Sequence, residues 1–531
     1  MCWWWIPNPG SITMPRPGRS QTNLSRSGRP KLFQTLRARQ AAMNSQSPAL
    51  PGPLINQCDV CIVGAGLAGL NAAAVASQYL SRDHKIILID RRHQPGGMWG
   101  DTYPYVRLHQ PHPLFTAGNI KWTLDKDRSY LAAKPEVLDH FTHCLDIIKK
   151  RVQVVEYFGW TVDSHTESAD GNHIIAQSET GQRLAIAAKR VIKANGFGIS
   201  PNEPLSVSSE QIHSVSPDFF DIRSEEMHAS NTPIWIVGGG KTAMDTAYAA
   251  VTEYPGREVN IIAGAGTYFI NRDSMFPNGA RRLWKGKLPT RMFNETALRF
   301  DGTNEDEVRE WFQTTHGLEP IRPSRRFFNG LLSESEAATI SSGLNTVDME
   351  YFDDAIDQPN GLEILYRSGA TRLIQPGSWL VNCSGYLLRT DTEYEPYVST
   401  HGTTLSINTR SVTIGFTSFA SYFLTHLLFL GKLDETPLYE LDGEDLAHKS
   451  KETLIWTALT LGQYNLSIIF DAVPNKVFLN CGLDFDRWYP IPRRMLETLR
   501  FMRTHHRDRE HHRQTLGAVR ERFDIRCGPL S

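Results

Sequence analysis

Asp59-Val60-Cys61-Ile62-Val63-Gly64-Ala65-Gly66-Leu67-Ala68-Gly69 is the stretch that decides how this chain folds. The apolar run Val60 to Val63 predicts a short buried strand, and the Ala-rich run Leu67 to Leu80 predicts a helix. Between them, Gly64 permits a tight turn, Gly66 lets backbone approach a ligand, and Gly69 lets the helix pack closely on the strand. The helix would begin with unpaired N–H groups and the positive end of its dipole, a seat for a pyrophosphate. Lys85 to Asp90 predicts a second strand, so a βαβ unit with a right-handed crossover and a parallel sheet opens the folded part. Asp90 ends that strand, where an acid can accept hydrogen bonds from a ribose diol. A glycine triplet alone is weak evidence. The strand before it, the helix after it and the acid beyond together predict a dinucleotide site.

Further along, Pro135 to Arg151 has helical spacing, with Val137, Leu138, Phe141, Leu145 and Ile148 on one side. Short β segments fill Val152 to Lys193, separated by turn signals at Ala169-Asp170-Gly171-Asn172 and Glu179-Thr180-Gly181. A second strand–loop–helix then starts at Pro233-Ile234-Trp235-Ile236-Val237-Gly238-Gly239-Gly240-Lys241-Thr242-Ala243-Met244-Asp245. Gly238, Gly240 and Ala243 repeat the first pattern, Ala serving the close-packing position. Its next strand is expected at Glu258 to Ile262, with helices around Glu305–Thr315 and Glu334–Ser342. The run from Ser378 to Tyr386 is expected to return the chain to the first lobe. The predicted fold is α/β, with two Rossmann-like dinucleotide-binding domains, the second inserted in the first.

At 531 residues the chain exceeds one ordinary hydrophobic core, in keeping with two lobes. A net charge of −1 gives no overall attraction to nucleic acid or acidic lipid. No apolar run is long enough to span a bilayer; Ser421 to Leu430 is short and contains Thr425 and His426. The seven dispersed cysteines suit a reduced compartment rather than a disulfide framework. Cys58 and Cys61 lie three apart on the first strand and should face opposite ways, unable to close a disulfide. Residues 1–54 read as a disordered basic leader. Its Arg16, Arg19, Arg26, Arg29, Lys31, Arg37 and Arg39 have no acidic counterpart. A cytoplasmic protein is expected, with a mitochondrial location as the alternative because transit peptides share that Arg- and Ser-rich, acid-free composition. The Arg/His-rich tail, Arg493 to Arg522, has interspersed acids and reads as a solvated helix. No metal site is expected.

Two dinucleotide loops imply two nucleotides, and hydride transfer from nicotinamide to flavin is the chemistry such a pair performs. The chain resembles the single-component FAD- and NAD(P)H-dependent monooxygenases, the flavin-containing, N-hydroxylating and Baeyer–Villiger groups. Pro95-Gly96-Gly97-Met98-Trp99 is similar to the family's segment along the flavin, and Tyr103-Pro104 follows at the Baeyer–Villiger spacing. Arg107-Leu108-His109-Gln110-Pro111 resembles a segment of plant-type flavin monooxygenases. Ala194-Asn195-Gly196 and Asn382-Cys383-Ser384-Gly385-Tyr386 stand where the family crosses between lobes, and Thr417 to His426 resembles its terminal flavin-contacting helix. His213-Ser214 matches the end of a family signature in which Val207 and Ser209 here replace Phe and Gly, and His109 stands near the register of a Baeyer–Villiger Asp.

The resemblance implies an FAD-binding domain over 55–230 and 376–440, an NAD(P)-binding domain over 231–375, and a C-terminal helical extension over 441–531. It implies FAD held by Gly64, Gly66, Gly69, Asp90, Gly97 and Trp99. NADPH (or NADH) would be held by Gly238, Gly240 and Ala243, with Lys241 or Arg272 as the cation for a 2′-phosphate. The implied activity is insertion of one atom of molecular oxygen into a small organic substrate through a peroxyflavin. In it, Arg107 would stabilise peroxide charge and His109 would donate to or orient the oxygen adduct. The alternative is an FAD-dependent NAD(P)H oxidoreductase without productive oxygen insertion. The partners expected are small molecules, with no nucleic acid and no integral membrane segment.

Overall fold

The computed structural model describes residues 55–196, 201–385 and 393–530. The basic leader 1–54 and Tyr386 of the second crossing turn lie outside the described residues.

The first strand is Ile55–Val63 and pairs in parallel with Lys85–Asp90 on one side and Arg183–Lys193 on the other. Gln153–Phe158 extends the parallel sheet beyond Lys85–Asp90. The long strand Arg183–Lys193 also anchors an antiparallel meander with Gly171–Ser178 and Trp160–Ser168. Thr404–Ser406 adds a parallel pairing at its far end, which makes the sheet seven-stranded. The helix between the glycine loop and the second strand, Leu67–Tyr79, is buried from Leu67 to Ser77 because it is sandwiched. The sheet covers one side and the helix Thr417–Leu430 the other, where Ser421 donates to the Ala68 carbonyl at 2.6 Å. The helix Lys134–Lys149 packs with Val137, Phe141, Leu145 and Ile148 inward, the face its spacing predicts.

The second sheet has five parallel strands in the order Thr346–Asp348, Val259–Ile262, Ile234–Val237, Trp379–Asn382, His213–Val215. Its glycine-loop helix is Lys241–Glu253. Two pieces differ from the sequence reading. The strand at Trp379–Asn382 sits inside the second sheet rather than returning the chain to the first, and His213–Val215, expected in the first lobe, pairs with it. The return to the first sheet is made instead by Thr404–Ser406. The physical reason is plain: an apolar run buried on both faces marks a central parallel strand but carries no label for which sheet receives it. A small antiparallel meander, Phe352–Gln358, Gly361–Tyr366 and Thr371–Ile374, is built within this second lobe.

The C-terminal part is helical as expected, with Lys451–Ala472 and the long Ile491–Phe523. They share an apolar core with the inserted lobe's Pro289–Arg299, Glu305–His316 and Arg326–Leu332 segments. The tail helix is not wholly solvated. His505, Asp508, His512, Thr515, Leu516 and Val519 form a buried stripe on it. Among the described residues no helix is long and apolar enough to cross a membrane. Cys58 and Cys61 are free and buried, on a strand whose unshifted register keeps residues three apart on opposite faces.

Candidate functional site: two glycine loops, a seam and an apolar cavity

Gly64 has φ +103°, and its N–H donates to the Ile89 carbonyl at 2.7 Å, which turns the chain off the first strand. A Cβ there would collide with the carbonyl oxygen of Ala194, so the first crossing turn, Ala194-Asn195-Gly196, is lodged directly against the loop. A Cβ on Gly69 would run into the Gly64 carbonyl, which confirms its close-packing role. Gly66 caps the helix, and a Cβ there would meet only the Cα of Gly97 at 3.4 Å and its nitrogen at 3.8 Å. The Gly96-Gly97 segment therefore folds across the loop, held by Gly96 N–H donating to the Ala65 carbonyl at 3.0 Å.

These pieces line a cleft that also includes Asp90, Trp99, Asn195, Thr417 and Ser418. The Asp90 carboxylate accepts from the Ala65 N–H at 2.6 Å and the Arg92 N–H at 2.8 Å, so it braces the loop as well as facing the cleft. Trp99 is 1% exposed, and its buried indole N–H finds no partner among the described residues. A backbone cradle open at Gly66, a helix N-terminus and an unsatisfied donor are what a dinucleotide with a planar ring system would fill.

The second loop repeats this arrangement. Gly238 has φ +131°, donates to the Ile262 carbonyl at 2.9 Å, and a Cβ on it would meet the Cys383 carbonyl oxygen at 2.6 Å. Asn382-Cys383-Ser384 thus stands to Gly238 as Ala194-Asn195-Gly196 stands to Gly64. Gly240 caps the helix and Ala243 is fully buried beneath it.

Residues 103–110 join the two lobes. The Tyr103 hydroxyl donates to Asp245 at 2.7 Å, Tyr105 shares a hydrogen bond with Thr246 at 2.8 Å, and Lys241 pairs with the same Asp245. Arg272 reaches the His109 carbonyl at 3.3 Å and Glu336 at 2.5 Å. His109 is 1% exposed and neither ring nitrogen has a partner among the described residues. Burial first, then the charges of Lys241 and Arg272, push its imidazole well below the usual histidine range, so it is neutral.

Several expectations are revised by these positions. Arg107 is exposed and turned outward, hydrogen-bonded to the Tyr130 hydroxyl at 3.2 Å and the Leu131 carbonyl at 3.1 Å, away from His109. Leu108, His109 and Gln110 are all buried while Arg107 points out, so the segment is irregular and keeps no strand-like alternation. Lys241 and Arg272 are engaged in the seam, each with a carboxylate, and neither is free for a 2′-phosphate. His213 stacks on Trp379 at 4.7 Å, at the edge strand of the second sheet. Thr425 and His426 lie on the packed face of their helix, His426 bonding Tyr79 at 2.7 Å, while Thr417 and Ser418 at its N-terminus face the cleft. Tyr105, Asp245 and Thr246 form a seam that the sequence does not announce. Their only signal was Asp245 four residues after Lys241, on the same helix face.

A second cavity adjoins the cleft along one stretch of chain: Gly415 and Phe416 line the cavity, Thr417 and Ser418 the cleft. Its wall is apolar, with Phe293, Phe416, Phe419, Phe485, Ile455 and Leu466. The polar exceptions include Asn329, Gln463, Thr290 and Asp484. Asn329 holds φ +52°, is 6% exposed, and its side-chain oxygen has no partner among the described residues.

Residues 58–285 match the family model described as pyridine nucleotide-disulphide oxidoreductase. Two fungal proteins are similar over the same order of length. Monooxygenase PC-14 of Penicillium crustosum is 25% identical over 248 residues, 45% of this chain and 40% of that protein. Monooxygenase ptmN of Penicillium ochrochloron is 25% identical over 255 residues, 45% of this chain and 38% of that one. The match therefore spans about two fifths of these relatives' length. Among solved structures, an oxidised steroid monooxygenase bound to NADP aligns with TM-score 0.49 and 14% identity, over 78% of this chain and 98% of that one. A flavin-containing monooxygenase from Stenotrophomonas maltophilia aligns with TM-score 0.44 and 13% identity, over 71% and 99%. At such scores the likeness adds nothing to the sheet topology seen directly.

Proposed function

We propose that this chain is an NAD(P)H-dependent FAD monooxygenase whose substrate lies in the apolar cavity beside the first cleft. The observation that carries this reading is the continuity from Gly415 to Ser418, where cavity and cleft share one loop and one helix N-terminus. The reading has FAD held by Gly64, Gly66, Gly69, Asp90, Gly97 and Trp99, and the pyridine nucleotide by Gly238, Gly240 and Ala243. The first unit comprises 55–196 with 393–440, the second 201–385. Bound there, FAD would take hydride from the nicotinamide and activate molecular oxygen. The chain's own residues orient and exclude. The helix N-terminus at Thr417 offers backbone N–H groups to the ring system, as its dipole favours. The phenylalanines keep water from the reacting face, and Asn329 gives a bound substrate one fixed hydrogen bond. His109, neutral at the seam, can offer one ring N–H and one lone pair to a group crossing between the lobes.

The fungal relatives' names, both monooxygenases, agree with this reading. Disulfide reduction is less well supported. The described cysteines are buried thiols, and burial above all pushes Cys58 and Cys383 up to about 12.

The test is NADPH and NADH oxidation by purified protein, with peroxide quantified, followed by labelled dioxygen and a panel of apolar candidate substrates. Label in a product and falling peroxide yield are expected. NAD(P)H consumption that returns only peroxide with every compound would favour the oxidoreductase without oxygen insertion.

A further inference from the structure

The first third of the tail helix Ile491–Phe523 breaks the usual rule for a surface helix. Ile491, Met495, Leu499 and Met502 recur at helical spacing on one face, with Leu496 beside them, yet they are 67%, 59%, 49%, 49% and 68% exposed. The turn at 282–286 is pinned to the same end. Arg493 donates to the carbonyls of Arg282 at 3.0 Å, Lys285 at 2.6 Å and Gly286 at 2.8 Å. That turn adds exposed Leu283 and Trp284, at 53% and 64%. Seven large apolar side chains thus stand in water on two joined segments, more than scattered surface leucines require.

The rim is cationic. The turn supplies Arg281, Arg282 and Lys285, and the helix supplies Arg494, Arg500 and Arg503. From Ile491 to Arg503 the helix has one acid, Glu497, and from Gly279 to Leu288 the chain has none. Arg281, Arg282, Lys285 and Arg503 have no carboxylate within salt-bridge distance among the described residues. Arg128, hydrogen-bonded to the Arg487 carbonyl at 2.8 Å, brings a further guanidinium to this side. The whole-chain charge of −1 conceals this local excess.

We propose that the Ile491–Met502 stripe, with the Leu283-Trp284 turn pinned at its N-terminal end, seats the protein on an anionic membrane surface, the helix lying in the plane of the headgroups. An apolar stripe wants an apolar medium and a basic rim wants anionic groups, and a leaflet containing acidic lipid offers both. Trp284 suits the headgroup boundary. Residues 1–54 would not cover the face by charge, since they are basic and acid-free, and a second copy would bring like charges together. Nucleic acid would meet the arginines but leave the stripe in water. The face also neighbours the apolar cavity: Arg494 lies 3.6 Å from Asp484, which lines the cavity wall.

The test uses the full-length FAD-loaded protein and sedimentation with vesicles of phosphatidylcholine, with and without phosphatidylserine. Expected are binding that requires phosphatidylserine, weakens with salt, and falls about tenfold or more in Trp284→Glu/Leu499→Glu and in Arg281→Glu/Lys285→Glu. Flavin content and NAD(P)H oxidation should stay at the parent level in both variants, as none of these residues lines the cleft or the cavity. Three results would overturn the proposal: no binding to either vesicle, binding unchanged in both variants, or a stable dimer or nucleic-acid complex that these variants alone dissolve.

Discussion

Asp486 sits beside Asp484 at the edge of the apolar cavity, and burial together with that neighbour lifts its carboxyl to about 7. A folded-state value raised above the unfolded one stabilises the fold below the unfolded value. That stabilisation is lost as pH rises through the folded one. For Asp486 the window runs from the ordinary carboxyl range, near 4, up to 7. Asp486→Asn keeps an acceptor for the Thr290 N–H, now 3.0 Å away, without the charge. Its melting temperature should exceed the parent's at pH 8 and converge with it at pH 4; a constant offset would reject the assignment. Asn329 gives a second prediction at this scale. Its φ of +52° is one that glycine also adopts freely, so Asn329→Gly removes the amide without backbone strain. Loss of one substrate hydrogen bond of about 1.4 kcal/mol would raise KM about tenfold with flavin content unchanged. Unaltered KM would remove Asn329 from the substrate site.

The elements that matter most are the 103–110 segment and the helix it meets, Lys241–Glu253. Lys241 is 7% exposed and Asp245 is the carboxylate it pairs with directly, so Asp245→Ala leaves a buried ammonium with only the more distant charge of Glu336 to offset it. Breaking such a pair from one side costs about 3–5 kcal/mol, whereas Lys241→Met/Asp245→Ala should recover most of that loss in thermal unfolding. A double variant as unstable as the single one would show that the pair does not hold the seam. The sequence read this level unevenly. Both glycine loops and their strands were legible because a positive φ and a helix pressed on a strand are local demands that only glycine or alanine meets. The turns at Ala194 and Cys383 were legible too, through the resemblance. The exposure of Arg107 beside a buried His109 was not legible, because spacing does not fix the side in an irregular segment and only docking of the second lobe decides which is buried. The strand at Trp379 was assigned to the wrong sheet for a similar reason: its apolar residues fit either core.

At the scale of the molecule, the cavity was invisible in the sequence because its wall is drawn from segments around 289–293, 329, 414–419, 455–466 and 484–485. No spacing links them; packing of the C-terminal helices on the inserted lobe brings them together. What the sequence did carry was the doubling of one motif, and the structure repeats its first turn, each first glycine jammed against the carbonyl of a crossing turn. That doubling divides the labour between two nucleotides, one for each loop. Gly66→Val and Gly240→Val place the same bulk at equivalent points of the two loops. The measurement is flavin content on purification, followed by anaerobic bleaching of the flavin spectrum on addition of NADPH or NADH. The parent protein should be yellow and bleach, Gly240→Val should be yellow and not bleach, and Gly66→Val should be colourless though folded. A Gly66→Val protein that keeps its FAD, or a Gly240→Val protein that bleaches as fast as the parent, would contradict the account.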